Sequence, residues 1–124
     1  MKTTVNSRGD DGTLTEITIE KTGPNKGKVK LVSWAPGAPK SKPTSKWAFD
    51  LYDIRANPTG TRLTCDVKVP IPFVRDPRLE LVLKGEAVSV IVTGVGARNS
   101  EYPVDPADAA IVSKFIVDCA FPPI

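Results

Sequence analysis

Hydrophobic and polar residues alternate along much of this chain with the period of two that a half-buried strand requires. Residues 13–20 (TLTEITIE) are rich in β-branched side chains and set Ile17 and Ile19 on one face. Residues 28–32 (KVKLV) set Val29 and Leu31 inward and both lysines outward. The cluster GPNKG at 23–27 between them is turn-forming, so the two runs predict a β-hairpin. Residues 47–54 (WAFDLYDI) place Trp47, Phe49 and Leu51 opposite Ala48, Asp50 and Tyr52, and NPTG at 57–60 predicts a turn. In residues 61–69 the alternation is cleanest: Leu63, Cys65, Val67 and Val69 face one way, Arg62, Thr64, Asp66 and Lys68 the other. Residues 79–83 and 87–93 predict two further strands, separated near Gly85.

The period changes once. Asp105 is placed to cap a helix, Pro106 suits its first position, and Asp108 adds negative charge to the first turn. Ile111, Val112, Phe115, Ile116 and Cys119 then recur at helical spacing, and Pro122-Pro123 stops the run. Residues 1–12 carry no clear period and predict a flexible arm or an edge segment ahead of one domain over 13–124. Residues 94–104 predict loop.

Strands joined by turns, with no helix between them, predict an α+β fold. It is an antiparallel sheet of about six strands with an N-terminal hairpin and a C-terminal helix. One helix, about 10 Å across, is narrow cover for strands about 4.8 Å apart. Trp47, Phe49, Leu79, Leu81, Val88 and Val90 therefore call for a second chain whose helix crosses the sheet, and a homodimer is the expectation.

Composition removes several chemistries. The 124 residues contain no histidine and two cysteines, so no Ser-His-Asp triad, Cys-His pair, His-ligated zinc site or Cys₄ site can form from this chain. The expectation is a protein that is not an enzyme, with no catalytic residue, metal, cofactor or small-molecule substrate. Carboxylate chemistry at Asp50, Asp53 or Asp66 is the weaker competing reading. No apolar run reaches the length of a membrane span, and Met1-Lys2-Thr3-Thr4 leads into polar sequence unlike a signal peptide. Cys65 and Cys119 fall on apolar faces and read as buried free thiols in a reducing setting. Gly94-Val95-Gly96 begins like a dinucleotide-binding loop, but Asn99 stands where the last glycine belongs and no βαβ unit surrounds it.

Charge adds a partner. The net charge is only +3, yet seven lysines and no acid lie between Glu20 and Asp50, which points to a polyanion or to a solvated loop. The polar sheet face collects Lys28, Lys30, Arg62, Thr64 and Lys68, with Tyr52 and Lys84 nearby. Cations and hydroxyls contact phosphates, and an aromatic ring stacks an unpaired base, so these seven are the candidate RNA-binding residues. Asp50, Asp66 and Glu80 on the same side oppose that reading, and a plain solvated face is the alternative. The three-proline loop over residues 70–78 carries Phe73 and Val74, two apolar residues that suggest contact with a partner.

The hairpin TLTEITIEKTGPNKGKVKLV and the closing run AVSVIVTGVGARNSEYPVDPADAAIVSKFIVDCAF, together with chain length and strand order, resemble the coat proteins of the single-stranded RNA bacteriophages, the levivirus group. The resemblance implies a homodimer whose sheets join edge to edge and whose helices lie across the partner's sheet, bringing Ile111 and Phe115 into the dimer contact and Phe73 and Val74 into contact between dimers. It further implies an icosahedral shell whose inner sheet face binds an RNA hairpin, serving translational repression and genome packaging. The location implied is the virion, with synthesis in the bacterial cytoplasm. A monomeric single-stranded nucleic-acid-binding module of the OB-like barrel type is the alternative.

Overall fold

The computed structural model describes residues 1–69, 76–85, 87–95 and 98–120. Among these residues eight strands follow one another as β1 (Lys2–Arg8), β2 (Leu14–Gly23), β3 (Lys26–Trp34), β4 (Ser45–Ala56), β5 (Arg62–Lys68), β6 (Arg78–Lys84), β7 (Ala87–Val95) and β8 (Arg98–Val104). Each pairs antiparallel with the next in sequence, and β8 returns to β1, so the sheet closes into a barrel. A single 3₁₀ turn, Pro106–Asp108, then leads into helix α1 (Ala109–Ala120).

The expected open sheet of about six strands is therefore incorrect. All six predicted strands are present, and two more complete the circle. Strand β1 lies in the stretch read as a flexible arm, pairing with β2 from Lys2↔Glu20 to Arg8↔Leu14. Its inward residues are Thr3, Val5 and Ser7, all buried. Two of the three are small and polar, so the alternation carries little hydrophobic contrast. Strand β8 (RNSEYPV) hides behind a polar composition and Pro103, a residue that argues against a strand interior. It pairs with β7 over most of its length, but with β1 only at Ser7↔Val104. Asp105 N–H donating to Asn6 O at 2.9 Å extends that narrow seam.

Closure also removes the argument for a partner's helix. An eight-stranded barrel is just wide enough for side chains to fill. The inward residues Val5, Ile17, Val29, Leu51, Leu63, Leu79, Leu81 and Val90 meet across it and are all but fully buried. Helix α1 adds Val112, Phe115, Ile116 and Cys119 to this same core. It packs against β1, β4, β6 and β7 of its own chain. Of the five residues expected on its apolar face, Ile111 stands apart at 51% exposed. The predicted N-cap forms as expected, with Asp105 Oδ1 accepting from Ala107 N–H at 3.0 Å.

The turn between β4 and β5 seats the helix. Asn57 Oδ1 accepts from the N–H groups of Thr61 at 2.9 Å and Arg62 at 3.0 Å. Gly60 N–H donates to Asn57 O at 3.2 Å. Gly60 has φ +72°, and a Cβ there would lie 2.6 Å from Val117 Cγ2 and 3.1 Å from Ser113 O. The positive φ and the close approach together require glycine.

Candidate nucleic-acid interface

Outward residues of β2 to β6 form three cross-strand rows. Thr18, Lys30 and Ala48 make the first, and Glu20, Lys28, Asp50 and Lys68 the second. Lys26, Tyr52, Asp66 and Arg78 make the third. Alternation along each strand dictates these rows, because chain neighbours such as Ile17, Ile19, Val29, Leu51, Val67 and Leu79 face the core. Lys28 and Lys68 flank Asp50 from opposite sides, about 10 Å apart at two strand spacings.

Two adjoining concavities occupy this face. One, of about 530 Å³, includes Thr18, Lys28, Lys30, Phe49, Asp50 and Lys68 in its lining. The other, of about 540 Å³, shares Lys28, Asp50 and Lys68 and adds Lys26, Tyr52 and Asp76. Four ion pairs occur among the described residues, and none uses Lys26, Lys28, Lys30 or Lys68. Four ammonium groups therefore face solvent beside three carboxylates, Glu20, Asp50 and Asp76. The local balance is basic by one charge, and the three acids divide it into separated points instead of one continuous patch.

Tyr52 is fixed at the edge of this surface. Its hydroxyl donates to Asp76 Oδ2, while Asp76 Oδ1 accepts from Val69 N–H at 3.3 Å. The hydrogen bond to Asp76 and the surrounding carboxylates push the phenol up to about 12. The same hydrogen bond holds the Asp76 carboxyl below its ordinary value, helped by Val69 N–H and Lys68. The phenol remains protonated through the physiological range, its hydroxyl engaged by Asp76.

The seven candidate residues divide into two groups. Lys28, Lys30, Tyr52 and Lys68 share the two concavities. Arg62 stands six residues from Lys68 along β5, roughly 20 Å away, and pairs with Glu80 Oε2 at 2.7 Å. Thr64 sits opposite Glu80, and Lys84 ends β6 beyond it, so both belong to the Arg62 side. Among the contact residues, Phe115 is 4% exposed within its own barrel, and Ile111 is open. Phe73 and Val74 lie outside the described residues. Lys26 and Thr18 join the basic face although the sequence reading passed them over. Lys26 belonged to the presumed turn, and only the extension of β3 to Lys26 turns its side chain onto the sheet.

Of the carboxylates considered for catalysis, Asp53 is paired with Arg55 at 3.3 Å and Asp66 with Arg78 at 3.9 Å. Asp50 stands between two lysines in register. No group of three or more metal-ligating side chains occurs among the described residues, and no helix among them is long and apolar enough to cross a membrane.

Fold and site together define a small antiparallel β-barrel, sealed by its C-terminal helix, with a basic, shallowly grooved outer face. Set against protein-family models, curated proteins and solved structures, the chain matches none.

Proposed function

We propose that this chain binds single-stranded RNA through the outer face of β2–β5, and that it does so as the subunit of an RNA-packaging viral shell. One observation carries the binding half: Lys28, Lys30 and Lys68 line one concavity without an ion-pair partner among the described residues. Unpaired cations on a sheet face are the arrangement that contacts phosphates, and a pinned aromatic ring such as Tyr52 beside them suits an unstacked base. The absence of histidine accords with work done by binding rather than by acid–base chemistry.

The shell half rests on the resemblance of the hairpin and closing run to the RNA bacteriophage coat proteins. In this reading copies of the chain associate as homodimers, assemble into a shell, and hold an RNA hairpin as repressor and packaging signal, within the host cytoplasm and then the virion. Dimerisation is proposed here without an exchanged helix, since α1 buries its apolar face in its own barrel. The exposed Ile111 is the helix residue left for contact between copies.

That same self-covering favours a second reading, a nucleic-acid-binding module that acts as a single chain. Its barrel has eight strands in simple up-and-down order, unlike the five-stranded OB type. Size-exclusion chromatography with electron microscopy of the purified protein separates the two. Megadalton particles containing RNA support the shell; a 13.3 kDa species that still binds RNA supports the single-chain module.

A further inference from the structure

Trp47 is the most exposed aromatic side chain among the described residues, at 58%, although its position in β4 gives it the inward parity of Phe49 and Leu51. Its ring lies nearly parallel to that of Phe49, 13° between planes and 6.1 Å between centroids. Phe49 is half-buried and lines the concavity that also holds Lys28, Lys30 and Lys68. The described β4–β5 ladder begins only at Asp50↔Lys68, whereas β3 accompanies β4 from Ser45 onward. The two rings therefore sit at the end of the sheet, next to the basic groove and continuous with it through Phe49. Lys46 precedes Trp47 in the chain, and Lys30 lies opposite Ala48.

We infer that Trp47, backed by Phe49, is a stacking platform for an unpaired nucleobase of the strand whose phosphates the lysines hold. This deepens the RNA-binding reading and rests on it. A large indole left open to water forfeits the burial that ordinarily holds tryptophan in a core. Phe49 supports one face of it, leaving the other for a flat, polarisable partner. The charge beside it selects the partner's class: lysines 28, 30 and 68 outnumber Glu20 and Asp50 in the lining and favour a polyanion, and the polyanion that carries flat π-faces at regular intervals is a single-stranded nucleic acid. Stacking of this kind accepts any base, so the platform adds affinity for unpaired strands over duplex without requiring a particular sequence.

Two probes distinguish this inference from the reading beneath it. Oligouridylate offers phosphates and bases; inorganic polyphosphate offers charge alone. Tryptophan emission reports on the platform, because the other indole, Trp34, is buried and donates to Lys40 O at 3.1 Å. Oligouridylate is expected to quench wild-type emission, and polyphosphate to bind without quenching. Trp47→Ala should weaken oligouridylate binding about ten-fold, leave polyphosphate binding unchanged and abolish the quench. Trp47→Phe should recover most of the affinity. Oligouridylate that binds equally well to wild type and Trp47→Ala, with no quench, overturns the platform while leaving the basic groove in place. Failure of wild-type protein to bind oligouridylate at all overturns the RNA reading, and the platform with it.

Discussion

Tyr52 on β4 donates its hydroxyl to Asp76, which lies just ahead of β6, and the same carboxylate reaches back to Val69 at the end of β5. One side chain thus clasps both ends of the β5–β6 connection to the outer face of the barrel. The bond raises the phenol from its ordinary 10.0 to about 12 and lowers the Asp76 carboxyl from 3.8. A raised acid binds its proton more tightly in the folded state. Its contribution to stability is whole below pH 10 and is lost as pH climbs through about 12. For Asp76 the sense is opposite: the contribution is present above 3.8 and is lost as pH falls through its lowered value. In a Tyr102→Phe background, phenolate absorbance should rise with a midpoint near 12, and adding Asp76→Asn should move it down. A midpoint that does not respond to Asp76→Asn contradicts the clasp.

Gly60 ties the β4–β5 turn to the terminal helix. Gly60→Ala pays twice, for a positive φ of +72° and for a Cβ 2.6 Å from Val117 Cγ2. Gly37 has φ +79° with nothing near its missing Cβ, so Gly37→Ala isolates the backbone cost, of order 1–2 kcal/mol. Denaturant unfolding should show Gly60→Ala less stable than Gly37→Ala by at least a further ~1 kcal/mol, overpacking being worth about 1–3 kcal/mol. Equal losses would mean that the helix does not rest on this turn.

The Arg62–Glu80 pair, at 2.7 Å, predicts that a strongly basic residue on the candidate face contributes little to RNA binding. Its guanidinium is already engaged, on the far end of β5 from Lys68. Arg62→Ala should change RNA affinity less than either Lys28→Ala or Lys68→Ala, and should cost no more than about 1 kcal/mol in stability. Filter binding at fixed salt is the check. An Arg62→Ala defect as large as that of the lysine variants would extend the interface along the whole of β5.

Both thiols face the core, and burial is the first cause pushing Cys65 up to about 12 and Cys119 above its ordinary value. Their protonated forms are stabilised by folding, so that contribution is intact below 9.0 and fades as pH rises through the raised folded values. A thiol-specific reagent at mildly alkaline pH should label neither cysteine until denaturant is added. Rapid labelling of the native protein would show the helix to be undocked, since Cys119 lies on its buried face.

The sequence made the middle of the barrel legible and hid its closure. Strands β2 to β7 announce themselves because apolar residues such as Ile17, Leu63 and Leu81 alternate with charged ones. Strand β1 turns Thr3 and Ser7 inward, and β8 carries Pro103, so neither shows the contrast that a period-two reading needs. With those strands missed, the core looked short of cover, and the shortage was assigned to a partner's helix. Closure supplies that cover within one chain. The basic face was legible for the same reason as the strands: Lys28, Lys30 and Lys68 alternate with core residues. The separation of Arg62 from Lys68 depends on partners in β6, and the opening of Trp47 on where β5 begins to pair, and neither follows from periodicity.

The most direct test of the central claim, that lysines on β3 and β5 grip single-stranded RNA, is the salt dependence of oligouridylate affinity for wild type and Lys28→Glu/Lys68→Glu. Each phosphate contact contributes about 0.7 to the slope of log affinity against log salt for a single strand. The account predicts weaker binding by the double variant and a slope shallower by about 1.4. Unchanged affinity and slope would contradict it.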